Sequence, residues 1–170
     1  MKLMKFTKLF AVLLFSAMST AFLASCSDDD DNDFTPTADF TSELNKLYPN
    51  EKATWETRHN QYRVAEFDKA GDEYDVWFSK EGQWVMTEID YEAPYSNVPN
   101  EIMSAFTTCD YGDWTLDDVS FYQRASDSFY VFNVEQRGDY DMDIYFDTEG
   151  NMIKAERDRD IEILPSTVIN

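Results

Sequence analysis

The sequence predicts an α+β fold: two tandem repeats, each a helix followed by about four antiparallel strands. Three observations carry that expectation. The stretch YDVWFSKEGQWV (74–85) aligns without gaps with MDIYFDTEGNMI (142–153) at an offset of 68, so that Asp75 meets Asp143, Phe78 meets Phe146 and Gly82 meets Gly150. The same offset reaches upstream to Tyr62 and Tyr130, and downstream to Glu88 and Asp90 against Glu156 and Asp158. In each aligned strand one face is apolar (Tyr74, Val76 and Phe78; Met142, Ile144 and Phe146) and the other carries an aspartate and an aromatic (Asp75 and Trp77; Asp143 and Tyr145), and each copy is preceded by apolar residues at helical spacing.

The chain begins with a different kind of segment. Lys2, Lys5 and Lys8 lead into an apolar run (9–18) too short to span a bilayer, so residues 1–25 read as a secretory signal. That signal ends in Leu23-Ala24-Ser25-Cys26, which resembles the lipobox of bacterial lipoproteins. The resemblance implies cleavage before Cys26 and a diacylglyceryl group on its sulfur. Each buried CH₂ contributes roughly 0.8 kcal/mol, so two or three acyl chains anchor a protein durably. Cys26 is therefore the candidate lipid anchor, and 26–37 an acidic linker. The SDDDD run (27–31) resembles the surface-export tag of lipoproteins in Bacteroidetes-type bacteria. It implies attachment to the outer membrane, facing the cell surface, with a periplasm-facing lipoprotein as the alternative.

The first repeat spans 38–96. Phe40, Leu44, Leu47 and Tyr48 mark one helix face, and strands follow near 52–58, 61–68, 72–79 and 83–91. The second repeat spans 97–163. Asn97 reads as a helix cap, Pro99 sits in the first turn, and Ile102, Phe106 and Cys109 mark the buried face. Its strands fall near 118–125, 128–136, 139–147 and 151–158. SKEG and DTEG read as tight hairpin turns that need glycine at a positive φ. At the end, LPSTVIN (164–170) resembles VPNEIMS (98–104), as though a third repeat began; it reads as a short turn covering a sheet edge.

Three stretches together, YDVWFSKEGQWVMTEIDY, VPNEIMSAF and MDIYFDTEGNMIKAERD, resemble the PepSY-like, β-lactamase-inhibitor-like (BLIP-like) proteins exported by Bacteroidetes. The resemblance covers roughly 38–165. It implies a curved antiparallel sheet with helices packed on one side and, for the inhibitor that gives the group its name, an enzyme bound across the open sheet face. It carries no catalytic residues, and the inhibitory loops are not recognisable here, so β-lactamase inhibition does not follow from fold analogy.

Charge and composition narrow the function. The formal net charge of −20 becomes −23 when the three signal lysines are lost, since residues 1–25 hold no acid. Setting aside the five aspartates between 28 and 33 leaves −18 on the folded part. Nucleic acid is a poor partner for such a field, whereas a basic partner is steered towards it. With Cys26 lipidated, Cys109 has no disulfide partner; the single histidine, His59, lies fifty residues away in a polar turn, so Cys109 reads as a core residue. One histidine and one remaining cysteine exclude the usual zinc sets, and no nucleophile elbow or phosphate-cradling loop occurs. No catalytic residue, metal site or cofactor is expected, and the chain does not read as an enzyme. Asp139, Asp141 and Asp143 alternate like a calcium loop, yet counting from Asp139 puts Ile144 at the sixth position and Gly150 at the twelfth, where an EF-hand requires Gly and Glu.

The remaining signal is aromatic. If Tyr74, Val76 and Phe78 pack on the helices, Asp75 and Trp77 take the opposite sheet face, as do Asp143 and Tyr145 in the second copy. Val85 and Ile89 facing the core would send Trp84 and Met86 to the side of Trp77. The candidate binding face is thus Trp77, Trp84, Met86, Tyr145, Asp75 and Asp143. Exposed, it suits a protein partner, such as an enzyme to be restrained, with a glycan as the alternative ligand; covered, the same side chains are simply core. Trp55 and Trp114 read as core or inter-repeat packing.

Overall fold

The computed structural model describes residues 32–136, 141–159 and 161–169. The signal segment, Cys26, the aspartates at 28–31 and Asp139 lie outside them. Among the described residues, two helices and a single antiparallel sheet make up the fold. After the two-residue β1 (Asn32–Asp33) come α1 (Ala38–Leu47) and strands β2 (Thr54–Arg58), β3 (Tyr62–Lys69), β4 (Asp72–Ser79) and β5 (Trp84–Tyr91). Then come α2 (Asn100–Thr108), β6 (Thr115–Arg124), β7 (Ser128–Glu135), β8 (Asp141–Asp147) and β9 (Met152–Arg157). Each strand pairs with the next in sequence, so the sheet order is β1 to β9 without a crossover. None of the described helices is long and apolar enough to cross a membrane.

Both helices cover the same sheet face. Helix α1 buries Phe40 and Leu44 against Ala65, Phe67, Val76 and Phe78, with Trp55 packed at the margin. Helix α2 buries Ile102 and Phe106 on Val119, Phe132, Ile144 and Phe146, with Trp114 alongside. Each fully buried side chain of this size contributes roughly 1.5–3 kcal/mol. Leu47, expected on the buried face of α1, is 43% exposed. The helix stops there, and Tyr48 takes its place by packing on Phe67 and Tyr74. Cys109 follows the last turn of α2 rather than lying within it; it is half-buried beside the α2 core. Asn97 does not cap α2. Pro99 occupies that position, and the Asn97 amide donates instead to Asp72 (2.7 Å) and to the Ala70 carbonyl (3.2 Å).

The hairpins β4–β5 and β8–β9 share one register. Asp75 pairs with Glu88 as Asp143 pairs with Glu156, and a β-bulge interrupts both ladders at Trp77/Phe78 and at Tyr145/Phe146. Gly82 and Gly150 close the turns at φ of 81° and 82°. The preceding strands do not keep the offset of 68. Ser79 pairs with Tyr62, whereas Asp147 pairs with Phe129, so Tyr62 corresponds to Phe129 and not to Tyr130. A one-residue shift moves a side chain to the other face, and Tyr130 accordingly lies in the α2 core while Tyr62 lies on the face away from the helices.

The segment after β9 neither starts a helix nor covers an edge. Residues 161–169 hold one turn and no strand, and they lie across the face away from the helices. Their reach shows that the sheet curves. The backbone of Asp158 still bonds to Asp141 on β8, yet Glu162 contacts Arg58 on β2. Seven strand spacings span about 34 Å in a flat sheet. Four residues cover at most about 14 Å, so even two extended side chains close the gap only if the sheet bends towards the tail.

Alanine at Gly150 should cost about 1–2 kcal/mol for the left-handed backbone. It should cost more than alanine at Gly82, because a Cβ at Gly150 would stand 3.2 Å from the Ala105 methyl, against 3.8 Å from the Phe40 ring at Gly82. Urea-unfolding midpoints of G150A and G82A test the order.

Candidate functional site

Alternation along the strands divides the face away from the helices into two zones. One is apolar: Val64, Trp77, Met86, Phe129, Val131 and Tyr145 come together beneath Ile163, with Leu164 and Ile169 against them. The other is acidic, and opens as a cleft of about 390 Å³ beside the tail. Its carboxylates are Glu88 on β5, Asp117 and Asp118 on β6, Asp143 on β8, Asp158 after β9, and Glu162 of the tail.

The predicted face residues are distributed as follows. Trp77 and Met86 are fully buried, and Tyr145 and Asp75 nearly so, all on the predicted side but beneath the tail or within the charge network. Asp143 is half-buried and lines the acidic cleft. Trp84 is on the other side. The bulge after Trp77 pairs Phe78 with Trp84, which places Trp84 in the α1 core, its indole N–H donating to Thr87 Oγ1 at 3.0 Å. Val85 moves to the tail side in exchange. An exposed aromatic platform is therefore absent among these residues: three rings or thioethers are covered, and the fourth belongs to the opposite core.

Arg58, which sequence reasoning passed over, organises the boundary between the zones. Its guanidinium lies 5.0 Å from the centroid of the Trp77 ring. It donates to Asp75 Oδ2 (2.7 Å), to Glu66 Oε1 (2.6 Å) and to Glu56, and lies 3.7 Å from Glu162 of the tail. Glu66, Asp75, Glu88 and Tyr122 form one cross-strand row over β3 to β6. Like charges opposite one another repel, and Arg58 offsets this at one end while the Tyr122 hydroxyl donates to Glu88 at 2.7 Å at the other. Burial raises the pKa of Asp75, with Arg58 opposing the rise. Glu88 is pushed up to about 8 by burial and then by Asp90, against the hydrogen bond from Tyr122. Asp90, bonded to Ser120 at 2.6 Å, is pushed up to about 6, again mainly by burial.

The tail is held by side chains. Glu162 Oε2 lies 2.5 Å from His59 Nε2, in the β2–β3 turn. Arg124, stacked on Phe129, donates to the Thr167 carbonyl. The assets of the arrangement are carboxylates, a curved sheet and a covered aromatic floor. Among the described residues no group of three or more potential ligands is placed to hold a metal ion.

The carboxyl shifts set a pH dependence. Glu88 and Asp90 hold protons when folded that they release when unfolded, so native stability should fall as pH rises from 4.5, the ordinary value for Glu, to about 8. Glu88→Gln should leave the urea midpoint near pH 4.5 unchanged and add roughly 1–2 kcal/mol at pH 8. Equal shifts at both pH values would refute this origin.

Comparison with known proteins accords with this geometry. Residues 60–154 match the family described as beta-lactamase-inhibitor-like, PepSY-like. Among solved structures, a BLIP-like protein from Bacteroides fragilis is 30% identical, with a TM-score of 0.70 over 82% of this chain and 100% of that one. A DUF2874 family protein from Bacteroides ovatus (25% identical, TM-score 0.64) covers 73% of this chain and 89% of its own. Another, from Bacteroides uniformis (28% identical, TM-score 0.62), covers 73% and 90%. No curated protein matches. With its curved meander, two helices on one face and a match over more than half its length, the chain belongs to the PepSY-like, beta-lactamase-inhibitor-like family.

Proposed function

We propose that this protein is a non-enzymatic, lipid-anchored binding module of the bacterial envelope that engages a protein partner through the sheet face away from its helices. The observation that carries this reading is the acidic cleft: among the described residues six carboxylates line it and no lysine or arginine does. A cleft of one sign focuses the field and speeds encounter with a basic partner, while the apolar zone beside it offers area that can be desolvated on contact. The mode is inhibitor-like, acting by occlusion. Attachment through Cys26 displays the domain at the outer face of the outer membrane, the acidic linker holding it clear of anionic headgroups. A glycan ligand would need exposed rings for stacking, and Trp77, Tyr145 and Trp84 are buried or half-buried. The two helix-plus-four-strand units are, in this reading, copies of one ancestral unit, a view supported by the shared register and bulges of their second hairpins.

The mature chain, used as bait against envelope and secreted fractions, should capture one protein at low salt and release it as salt rises. Asp117 and Asp118 are exposed, so Asp117→Lys/Asp118→Lys should leave the fold intact and abolish capture. No capture, or capture that both baits share, would count against the reading. Separately, Cys26→Ser should move the protein from the membrane to the soluble fraction; unchanged membrane association would remove the lipid anchor from the proposal.

A further inference from the structure

The tail covers the apolar zone without completing it. Ile163 is buried and Leu164 and Ile169 pack beside it, but Ile161 is 68% exposed and Val168 72%. Open space flanks it on both sides, the acidic cleft on one and a space of about 80 Å³ near Lys154 and Arg159 on the other. Beneath it the polar groups are incompletely paired. Among the described residues, the buried side-chain atoms that meet no hydrogen-bond partner are Asp75 Oδ1, Trp77 Nε1 and Asn133 Oδ1. All three residues alternate onto the tail side of the sheet, and the helix side has none. Trp77 is fully buried, so its idle N–H is a donor kept from both water and protein.

A segment that crosses a sheet face with one turn, gripped by two arginines and leaving one buried donor and two buried acceptors unused, has the character of a substitute occupant. We propose that residues 161–169 stand in, within the chain, for a partner's peptide, and that the groove they fill binds a segment that follows the same turned path, with bulky aliphatic side chains at the places of Ile163, Leu164 and Ile169. Such a segment also supplies a carboxylate to Arg58 and His59 and a carbonyl to Arg124, as Glu162 and Thr167 do. The inference rests on the protein-binding reading and adds the chemistry of the bound segment and the displacement that precedes it. The tail is suited to displacement because it joins no strand ladder: its described backbone–backbone hydrogen bond, Thr167 N–H to the Leu164 carbonyl, lies within the tail.

The test uses the full mature chain carrying Ile163→Asp and Leu164→Asp, which prevents the tail from docking. It is titrated with a synthetic peptide of residues 161–169 while tryptophan emission is followed. The substituted chain should bind the peptide saturably. The unaltered chain, whose tethered tail competes at a local concentration on the order of millimolar, should bind it at least roughly tenfold more weakly. Arg58→Ala in the substituted chain should weaken binding by about tenfold. Absence of saturable binding by a cooperatively folded substituted chain, or equal binding by the unaltered one, overturns the proposal. If the substituted chain does not fold, hydrogen exchange on the unaltered chain decides. Tail amides should exchange on the order of 100-fold faster than those of β4 and β8, and a tail that opens only with the sheet overturns the proposal. Peptide binding without a captured envelope protein would sink the protein-partner reading alone; a captured protein without peptide binding would sink only this one.

Discussion

A single sheet that carries apolar side chains on both faces needs two covers, and this constraint shapes the molecule. Two helices of ten and nine residues close one face. Among the described residues no helix or strand supplies a second layer for the other, where Trp77, Met86, Phe129 and Tyr145 stand in a patch too apolar to leave in water. The solution is nine residues of irregular tail. A strip that narrow cannot cover the width of nine strands, so the sheet bends over it, and what remains uncovered is acidic. Curvature, tail and acidic cleft are three consequences of one shortage.

Charge would oppose this arrangement without Arg58. Glu56, Glu66, Asp75 and Glu162 approach from three strands and the tail, and the chain as a whole is strongly acidic. The guanidinium can serve several carboxylates because its donors fan out in one plane, and the Trp77 ring supports its face. Loss of one partner from a buried pair commonly costs about 3–5 kcal/mol, because the remaining charge has no water to return to. Further along the row no cation among the described residues is within hydrogen-bonding reach of Glu88, and there the protein relies on retained protons and on Tyr122 instead.

The element order was legible in the sequence because periodicity and glycine turns report local structure, and both survive in almost every strand. Gly82 and Gly150 predicted their hairpins correctly for a physical reason: few other residues accept that backbone. What could not be read were quantities decided by counting across a gap. One extra residue in a bulge reversed Trp84 and Val85, and a one-residue difference in span between paired positions, Tyr62 to Ser79 against Phe129 to Asp147, broke the match of Tyr62 with Tyr130. The SKEG turn held a clue, since a four-residue turn ending in glycine often brings a bulge with it. Arg58 and the tail gave no such clue. Their importance comes from contacts between residues about a hundred positions apart, to which local pattern is blind.

The placement of imperfection argues that the two faces were shaped for different ends. On the helix side the cores close around aliphatic and aromatic groups, and polar contacts such as Trp84 to Thr87 are satisfied. On the tail side the same chain tolerates three idle buried polar atoms, carboxyls displaced towards neutrality, and a cleft beside them. Each unpaired group costs about 1–3 kcal/mol, and substitution could remove it: phenylalanine for Trp77 eliminates the idle N–H, although the smaller ring leaves part of the site unfilled. A face whose only task was to be buried would have no reason to keep them. Under the proposed displacement, a face that is at times uncovered and then pairs those atoms with another chain needs them in place, which would account for the cost in stability.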